Sequence, residues 1–105
     1  MVIYALARGK GKTIRLIQES AIHNYYLVVD SKQMAENVYR FAYENGLRIP
    51  FPITFDDLIK GRFYGRGIKG FLIDNADMLL SYLCRGVPLE GISLTTDPTN
   101  FLIVG

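Results

Sequence analysis

The sequence has 105 residues, half of them hydrophobic and 21% charged, which predicts a single globular domain over residues 1–105 and excludes a disordered chain. Twelve Lys and Arg against ten Asp and Glu give a net charge of +2, too small to indicate nucleic-acid binding by itself. The single cysteine excludes an intramolecular disulfide and a cysteine-based zinc site within one chain. No apolar run approaches the roughly 18 residues of a membrane span, and residues 1–7 are too short for a signal-peptide core, so we expect a cytoplasmic protein with no membrane partner.

The first predicted element is an apolar strand over residues 2–7, followed by a glycine- and lysine-rich turn and an amphipathic helix over residues 14–22. Such a turn at a helix N-terminus lets several backbone N–H groups converge on the oxygens of a triphosphate. Lys12 would reach the β- and γ-phosphates, and the Thr13 hydroxyl would ligate Mg²⁺. The pattern departs from the full phosphate-loop motif because Leu6 occupies the position of its first glycine. The alternative is a basic strand-to-helix connection that binds no ligand. The candidate nucleotide-binding residues are Arg8, Gly9, Lys10, Gly11, Lys12 and Thr13.

Residues 25–29 predict a second strand, whose continuous apolar character suits a parallel sheet covered on both faces. Asp30 is the predicted N-cap of the following helix, and Gln33 three residues later completes a capping box. Apolar residues then recur at helical spacing until Asn45 and Gly46 end the helix.

Two prolines keep residues 47–53 extended, which predicts a short peripheral strand, and residues 54–57 predict a capped helix of one or two turns through Ile59. The loop at residues 60–70 breaks all periodicity and combines four cations with two aromatic rings, a composition that suits single-stranded nucleic acid. The alternative is a solvated loop with one ring packed on the core. The candidate nucleic-acid residues are Lys60, Arg62, Phe63, Tyr64, Arg66 and Lys69.

Residues 71–73 predict the central strand, which ends at Asp74, and α/β sheets place ligand-binding groups at the carboxyl ends of their strands. Asp74 would hold Mg²⁺ through water, with Thr13 as the other metal-binding residue. The remaining predicted elements are a helix over residues 78–84, a strand over 92–95, a turn over 97–100 and a strand over 101–104, the last two strands being candidates for a hairpin. The alternation of strands and helices predicts the α/β class, as a three-layer α/β/α sandwich with a mostly parallel sheet of about five strands.

Two of these segments together resemble the motifs of a known family. Residues 6–13 and 71–77 are similar to the Walker A and Walker B motifs of P-loop NTPases, and residues 74–77 resemble the Asp-Glu-Ala-Asp box of DEAD-type helicases and phage terminases. Residues 93–97 weakly resemble the Ser-Ala-Thr coupling motif that follows in these families. The resemblance implies a domain like the first RecA-like lobe of such motors, binding ATP or GTP with Mg²⁺, as an accessory protein in phage DNA metabolism.

The candidate catalytic residues are Asn75 and Asp77. Asn75 stands where these families have the glutamate that activates the attacking water, and its amide can orient that water but cannot accept its proton. Asp77 is the candidate substitute, and its alternative role is a first-turn acid favoured by the helix dipole. These families take an arginine from a second lobe. Either a neighbouring copy in a homo-oligomer donates Arg62 or Arg66, or no arginine is supplied and the domain binds nucleotide without turning it over.

Two functions therefore follow from the sequence. The first is nucleotide binding with weak or absent hydrolysis, favoured by the presence of Lys12, Thr13 and Asp74 together. The alternative is a non-enzymatic relative of the NTPases that binds a host or viral protein or single-stranded nucleic acid, favoured by Leu6 and Asn75.

Overall fold

The structure is a computed structural model that describes residues 1–6 and 11–104. Its strands and helices alternate along the chain, which confirms the α/β class. In chain order they are β1 (Ile3–Leu6), α1 (Lys12–His23), β2 (Tyr26–Val29), α2 (Lys32–Glu44), β3 (Ile53–Thr54), α3 (Phe55–Ile59), β4 (Phe71–Ile73), α4 (Ala76–Leu83), a short 3-10 helix (Pro98–Asn100) and β5 (Phe101–Val104). None of the described helices has the length and apolar character needed to cross a membrane.

The strands form two sheets, which corrects the prediction of one sheet of about five strands. One sheet has the order β5-β1, and the other has the order β3-β2-β4. All described pairs are parallel, and Val28 of β2 pairs with Ile53 on one side and Ile73 on the other. Among the described residues β1 pairs only with β5, and β4 pairs only with β2. A continuous sheet would need a ladder between β1 and β4, and local sequence patterns do not specify such a long-range pairing.

The strand predicted at residues 92–95 is absent from this part of the structure, and the hairpin is therefore wrong as well. The last strand instead pairs parallel with β1, with Ile3 opposite Phe101. Ile92 and Leu94 alternate with polar residues, as in a strand, but they remain 57% and 54% exposed. An alternation this short does not form a strand unless a partner edge accepts its hydrogen bonds.

The hydrophobic core is centred on β2. Leu27, Val28 and Val29 are fully buried. Leu27 and Val29 pack with residues of α1 and α2, whereas Val28 packs with Phe55 of α3 and Leu79 of α4. Successive strand residues point to opposite faces of a sheet, so helices cover both faces of the three-stranded sheet. This confirms the prediction that residues 25–29 include a strand buried on both sides, and it explains their continuous apolar character.

Helix α2 begins with a different cap from the one predicted. The N-cap is Ser31, in an extended conformation, and its hydroxyl accepts a 3.1 Å hydrogen bond from the backbone N–H of Met34. The predicted capping box of Asp30 and Gln33 is wrong because the helix starts one residue later, where serine is an equally good N-cap. The Asp30 carboxylate is thereby left outside the helix.

The N-caps of the next two helices lie at the carboxyl ends of β3 and β4. In α3 the predicted cap is confirmed, and it has the form of a capping box: the backbone N–H of Asp57 donates to the Thr54 hydroxyl, and the backbone N–H of Thr54 donates to the Asp57 carboxylate, each at 3.1 Å. Helix α4 begins at Ala76 rather than at residue 78, because Asn75 adopts a left-handed conformation with φ of 54° and turns the chain out of β4. Asparagine tolerates this conformation better than most residues do.

Candidate functional site

Thr13 and Asp74 are joined by a hydrogen bond. The Thr13 hydroxyl donates to Oδ2 of Asp74 at 2.9 Å, across a separation of 61 positions in the sequence. Thr13 is in the first turn of α1, which follows β1, and Asp74 directly follows β4. The structure therefore brings together the two residues that the sequence predicts as Mg²⁺ ligands.

Asp74 has an environment that is unusual for a carboxylate. The residue is only 3% exposed, and its Oδ1 atom has no hydrogen-bond partner among the described residues. Burial raises the pKa of the Asp74 carboxyl, and the negative charge of Asp30 adds to this effect, whereas the Thr13 hydroxyl and the charge of Lys12 lower it. A buried carboxylate oxygen without a partner costs free energy, so such an atom in a folded protein calls for an explanation such as a bound cation.

Gly11 and Lys12 lead into α1 at this site. Gly11 is the N-cap of the helix and adopts a left-handed conformation with φ of 82°, which glycine accepts at little cost. It offers no side-chain cap, so the first N–H groups of α1 are available to an anion. Lys12 follows directly, close enough to Asp74 for its charge to lower the pKa of that carboxyl. The other predicted nucleotide-binding residues, Arg8, Gly9 and Lys10, lie outside the described residues.

The two candidate catalytic residues lie at the start of α4. Asn75 makes no side-chain cap to the helix, and Asp77 is an exposed acid in its first turn. Both line a cleft that Lys12 and Asp74 also line. The structure thus brings the predicted phosphate-binding lysine, metal-binding aspartate and catalytic candidates to the same opening.

The cleft lies between the unjoined edges of the two sheets and has a volume of about 420 Å³. Its strand walls include Tyr4 of β1 with Phe71 and Ile73 of β4, and Ile92 also lines it. The polar groups lie after β4 and at the start of α1, whereas the strand walls are largely apolar. Small-molecule sites typically have this size and this combination of apolar walls with a few polar groups.

Two cations of the 60–70 loop are paired within the chain. Lys60 and Arg62 each lie 3.2 Å from the Asp56 carboxylate, and Arg62 also lies 3.6 Å from Asp57. These are exposed ion pairs, which add little stability. Nucleic acid would have to compete with Asp56 for both cations.

The aromatic residues of the same loop have different environments. Phe63 packs against the cluster around Val28 and meets Phe71 edge to face, with ring centroids 5.1 Å apart. Tyr64 stacks on Phe63 and is 88% exposed. Phe63 therefore has the packing role that the alternative interpretation gave to one ring. Nucleic-acid binding stays a prediction, resting mainly on Tyr64 with the exposed Arg66 and Lys69.

Asp30 belongs to this edge of the sheet, although sequence reasoning assigned it to a helix cap. It directly follows β2, the strand beside β4, and its charge raises the pKa of the Asp74 carboxyl. The signal was present in the sequence, because an acid directly after a buried apolar strand is the same feature that identified Asp74.

A metal ion at Thr13 and Asp74 would need ligands from outside the protein. In the described ranges, no group of three or more His, Cys, Asp or Glu side chains is placed to hold a metal ion. This suits Mg²⁺, which usually keeps several waters and takes one or two protein carboxylates together with substrate phosphates.

Comparisons with known proteins give this chain no relative. No family model, no curated protein and no solved structure shows a significant match to it. The interpretation of the site therefore depends on the residues and geometry described above.

Proposed function

We propose that this protein binds Mg²⁺ and a purine nucleoside triphosphate, ATP or GTP, at the edge formed by Lys12, Thr13 and Asp74, and that it hydrolyses the nucleotide slowly. The proposed fold is a minimal P-loop NTPase-like domain, a three-layer arrangement built around the parallel sheets. The observation that carries the proposal is the 2.9 Å hydrogen bond between the Thr13 hydroxyl and Asp74.

This hydrogen bond is informative because two independent sequence motifs meet in it. Thr13 comes from the segment that resembles Walker A, and Asp74 comes from the segment that resembles Walker B. A bond formed only for stability would not require burying a carboxylate whose second oxygen has no partner among the described residues, since an apolar residue of similar size is often as stable. A cation held beside Oδ1 would account for both the burial and the free oxygen atom.

Each residue has a distinct role in this proposal. The backbone N–H groups after Gly11 and the ammonium group of Lys12 bind phosphate oxygens. The Thr13 hydroxyl and the Asp74 carboxylate hold the cation, the latter directly or through water. When bound, Mg²⁺ neutralises charge on the β- and γ-phosphate oxygens, which otherwise repel an attacking water.

Hydrolysis is slow in this proposal because Asn75 stands in the position of the catalytic glutamate and cannot take a proton from the attacking water, so an acid outside this position has to accept it. A protein with such a site would spend most of its time with nucleotide bound. The resemblance to helicase and terminase motors supports an accessory role in phage DNA metabolism, in which a protein partner or a second copy responds to the bound state.

The test is a denaturation experiment with and without Mg²⁺ and nucleotide. Ligand that binds only the native state raises the free energy of unfolding, by about 2.7 kcal/mol at a hundredfold excess over its dissociation constant. MgATP or MgGTP should give this increase in the natural protein, and Lys12→Ala should abolish it. The matched control is Lys69→Ala, an exposed lysine just before β4, at the opposite end of that strand from Asp74.

An unfolding curve that millimolar nucleotide and Mg²⁺ do not move would reject the proposal. The non-enzymatic interaction module would then be the better interpretation. A shift that Lys12→Ala and Lys69→Ala reduce equally would indicate nonspecific attraction of the nucleotide to positive charge.

A further inference from the structure

The parallel pairing of β2 with β4 places Asp30 at the same edge of the sheet as Asn75, the position where a carboxylate is missing. In the parallel pairing of β2 with β4, Val28 lies opposite Ile73. The backbone N–H of Asp74 donates to the carbonyl of Val28 at 3.0 Å, so the hydrogen bonding between the two strands extends to Asp74. Asp30 and Asn75 each follow this paired segment, so both lie at the same edge of the sheet.

The strand order places Asp30 on the far side of Asp74 from Lys12 and Thr13. The cleft separates β1 from β4, and β2 is the neighbour of β4 on its other side. Along the edge of the sheet the order is therefore Lys12 and Thr13, then Asp74, then Asp30. In phosphoryl transfer the attacking and leaving oxygens lie roughly in line, so a group that accepts a proton from the water belongs on the side away from the leaving diphosphate.

Asp77 has the less favourable position of the two available acids. It lines the cleft on the β1 side of β4, together with Lys12, where the diphosphate would lie. Asp77 also has a sufficient structural role, because an acid in the first turn of α4 is stabilised by the helix dipole. Asp30 has no corresponding role, since Ser31 caps α2.

We propose that Asp30 is the proton acceptor for the attacking water, replacing the acid that Asn75 lacks; this inference rests on the proposed nucleotide site. The water oxygen bonds to the γ-phosphorus, and the bond from that phosphorus to the β–γ bridging oxygen breaks. The electron pair of that bond leaves with the diphosphate. The proton of the water passes to the Asp30 carboxylate and then to solvent. The products are a nucleoside diphosphate and inorganic phosphate.

The electrostatics agree with this placement. The Asp30 carboxylate is near enough to Asp74 for its charge to raise the pKa of the buried carboxyl. It is also exposed, and the described structure gives it no hydrogen bond or ion pair, so it remains accessible to water at the site.

The experiment measures nucleotide affinity and single-turnover hydrolysis separately. The variants are Asp30→Asn, the conservative Asp30→Glu, and Glu36→Gln as a control that neutralises an exposed acid of α2. General-base catalysis is typically worth 10²–10⁴-fold, so Asp30→Asn should slow the chemical step by at least roughly a hundredfold without weakening MgATP binding. Asp30→Glu should restore part of the rate, and Glu36→Gln should match the natural protein. Circular dichroism verifies that each variant is folded.

Hydrolysis at the natural rate in Asp30→Asn would overturn the inference. A further variant, Asp77→Asn, would also overturn it if it lost the hydrolysis rate while Asp30→Asn did not. Tight MgATP binding with no hydrolysis in the natural protein would also overturn it while leaving the proposed binding function intact. An absence of MgATP binding would reject the binding function and the inference together.

Discussion

Two threonine–aspartate pairs in this protein have opposite properties. Thr54 and Asp57 are three residues apart and cap α3 with two reciprocal hydrogen bonds of 3.1 Å. Thr13 and Asp74 are 61 positions apart and share one hydrogen bond of 2.9 Å. The backbone N–H of Thr54 is the largest cause of the lowered pKa of Asp57, whereas burial is the largest cause of the raised pKa of Asp74.

The difference is the one expected between a pair that stabilises the fold and a pair that belongs to the proposed site. At Asp57 the protein stabilises the charged carboxylate, so the ionised pair contributes to folding. At Asp74 the protein disfavours the charged carboxylate, and Oδ1 has no partner among the described residues, so the ionised residue reduces stability in the absence of a ligand. A buried acid that lowers stability is a better candidate for function than an acid that caps a helix.

The largest expected effect is on stabilisation by ligand, when the threonine of each pair is replaced by valine. At MgATP a hundredfold above its dissociation constant, the natural protein and Thr54→Val should both gain about 2.7 kcal/mol in free energy of unfolding. Thr13→Val should lose most of this gain because it removes a Mg²⁺ ligand without changing side-chain shape, and Thr13→Ser should recover it. Urea titrations with and without ligand measure the difference. Full stabilisation of Thr13→Val would show that its hydroxyl does not hold the cation.

A second prediction adds a carboxylate at position 75, where the resembled families have their proton acceptor, to the acid that the natural protein already uses. Asn75→Glu should raise the single-turnover hydrolysis rate at least roughly tenfold, about 1.4 kcal/mol of barrier. The left-handed backbone at this position should also make Asn75→Glu less stable, by about 1–2 kcal/mol. Asn75→Asp is the matched variant, because aspartate tolerates this conformation and also carries a carboxylate. Rapid hydrolysis by the natural protein, abolished in Asp77→Asn, would assign the role to Asp77 instead.

The third prediction concerns the ligand-free protein. Thr54→Val removes the N-cap of α3 and should lower the free energy of unfolding by about 1 kcal/mol. Thr13→Val removes the hydroxyl that donates to Oδ2 of the buried Asp74 and should also cost on the order of 1 kcal/mol. Chemical denaturation without nucleotide should therefore show two similar losses. A much larger loss in Thr13→Val would indicate that the long-range pair is chiefly structural.

The smallest effect is a difference in pH dependence in the Mg²⁺-free protein. The pKa of Asp57 is lowered from 3.8, so its stabilisation is present above pH 3.8 and is lost as the pH falls through the folded-state pKa. The pKa of Asp74 is raised, so its contribution is complete below pH 3.8 and is lost as the pH rises through the folded-state pKa. Asp57→Asn should thus reduce the loss of stability in acid, and Asp74→Asn should reduce the loss above pH 3.8. Unfolding curves across this pH range measure the free energy of unfolding of both variants. The same dependence of that free energy on pH in Asp57→Asn and Asp74→Asn would contradict the distinction.

Local features were predictable from the sequence. The capping box of Thr54 and Asp57 depends on residues three apart, and the burial of Val28 follows from a continuous apolar run. The pairing of Thr13 with Asp74 was predictable for a different reason: two motifs with known chemistry imply that their residues meet.

Features that depend on competition or on long-range pairing were not predictable. Asp30 and Ser31 are adjacent and are both good N-caps, and only the structure shows which one the helix uses. The separation of the sheets depends on whether β1 and β4 pair, which neither strand specifies alone. The position of Asp30 near Asp74 follows from the pairing of β2 with β4, so it required the structure.

The separation of the two sheets has a consequence for how this protein opens. Since no described ladder joins β1 to β4, the β1–β5 pair can detach without breaking any hydrogen bond of the three-stranded sheet. We expect the backbone amides of β1 and β5 to exchange with solvent through a subglobal opening that has a lower free energy than the unfolding of β2. The proposed nucleotide would contact both units, because Thr13 follows one and Asp74 the other. Ligand binding would then appear in hydrogen exchange as the merging of two cooperative units into one.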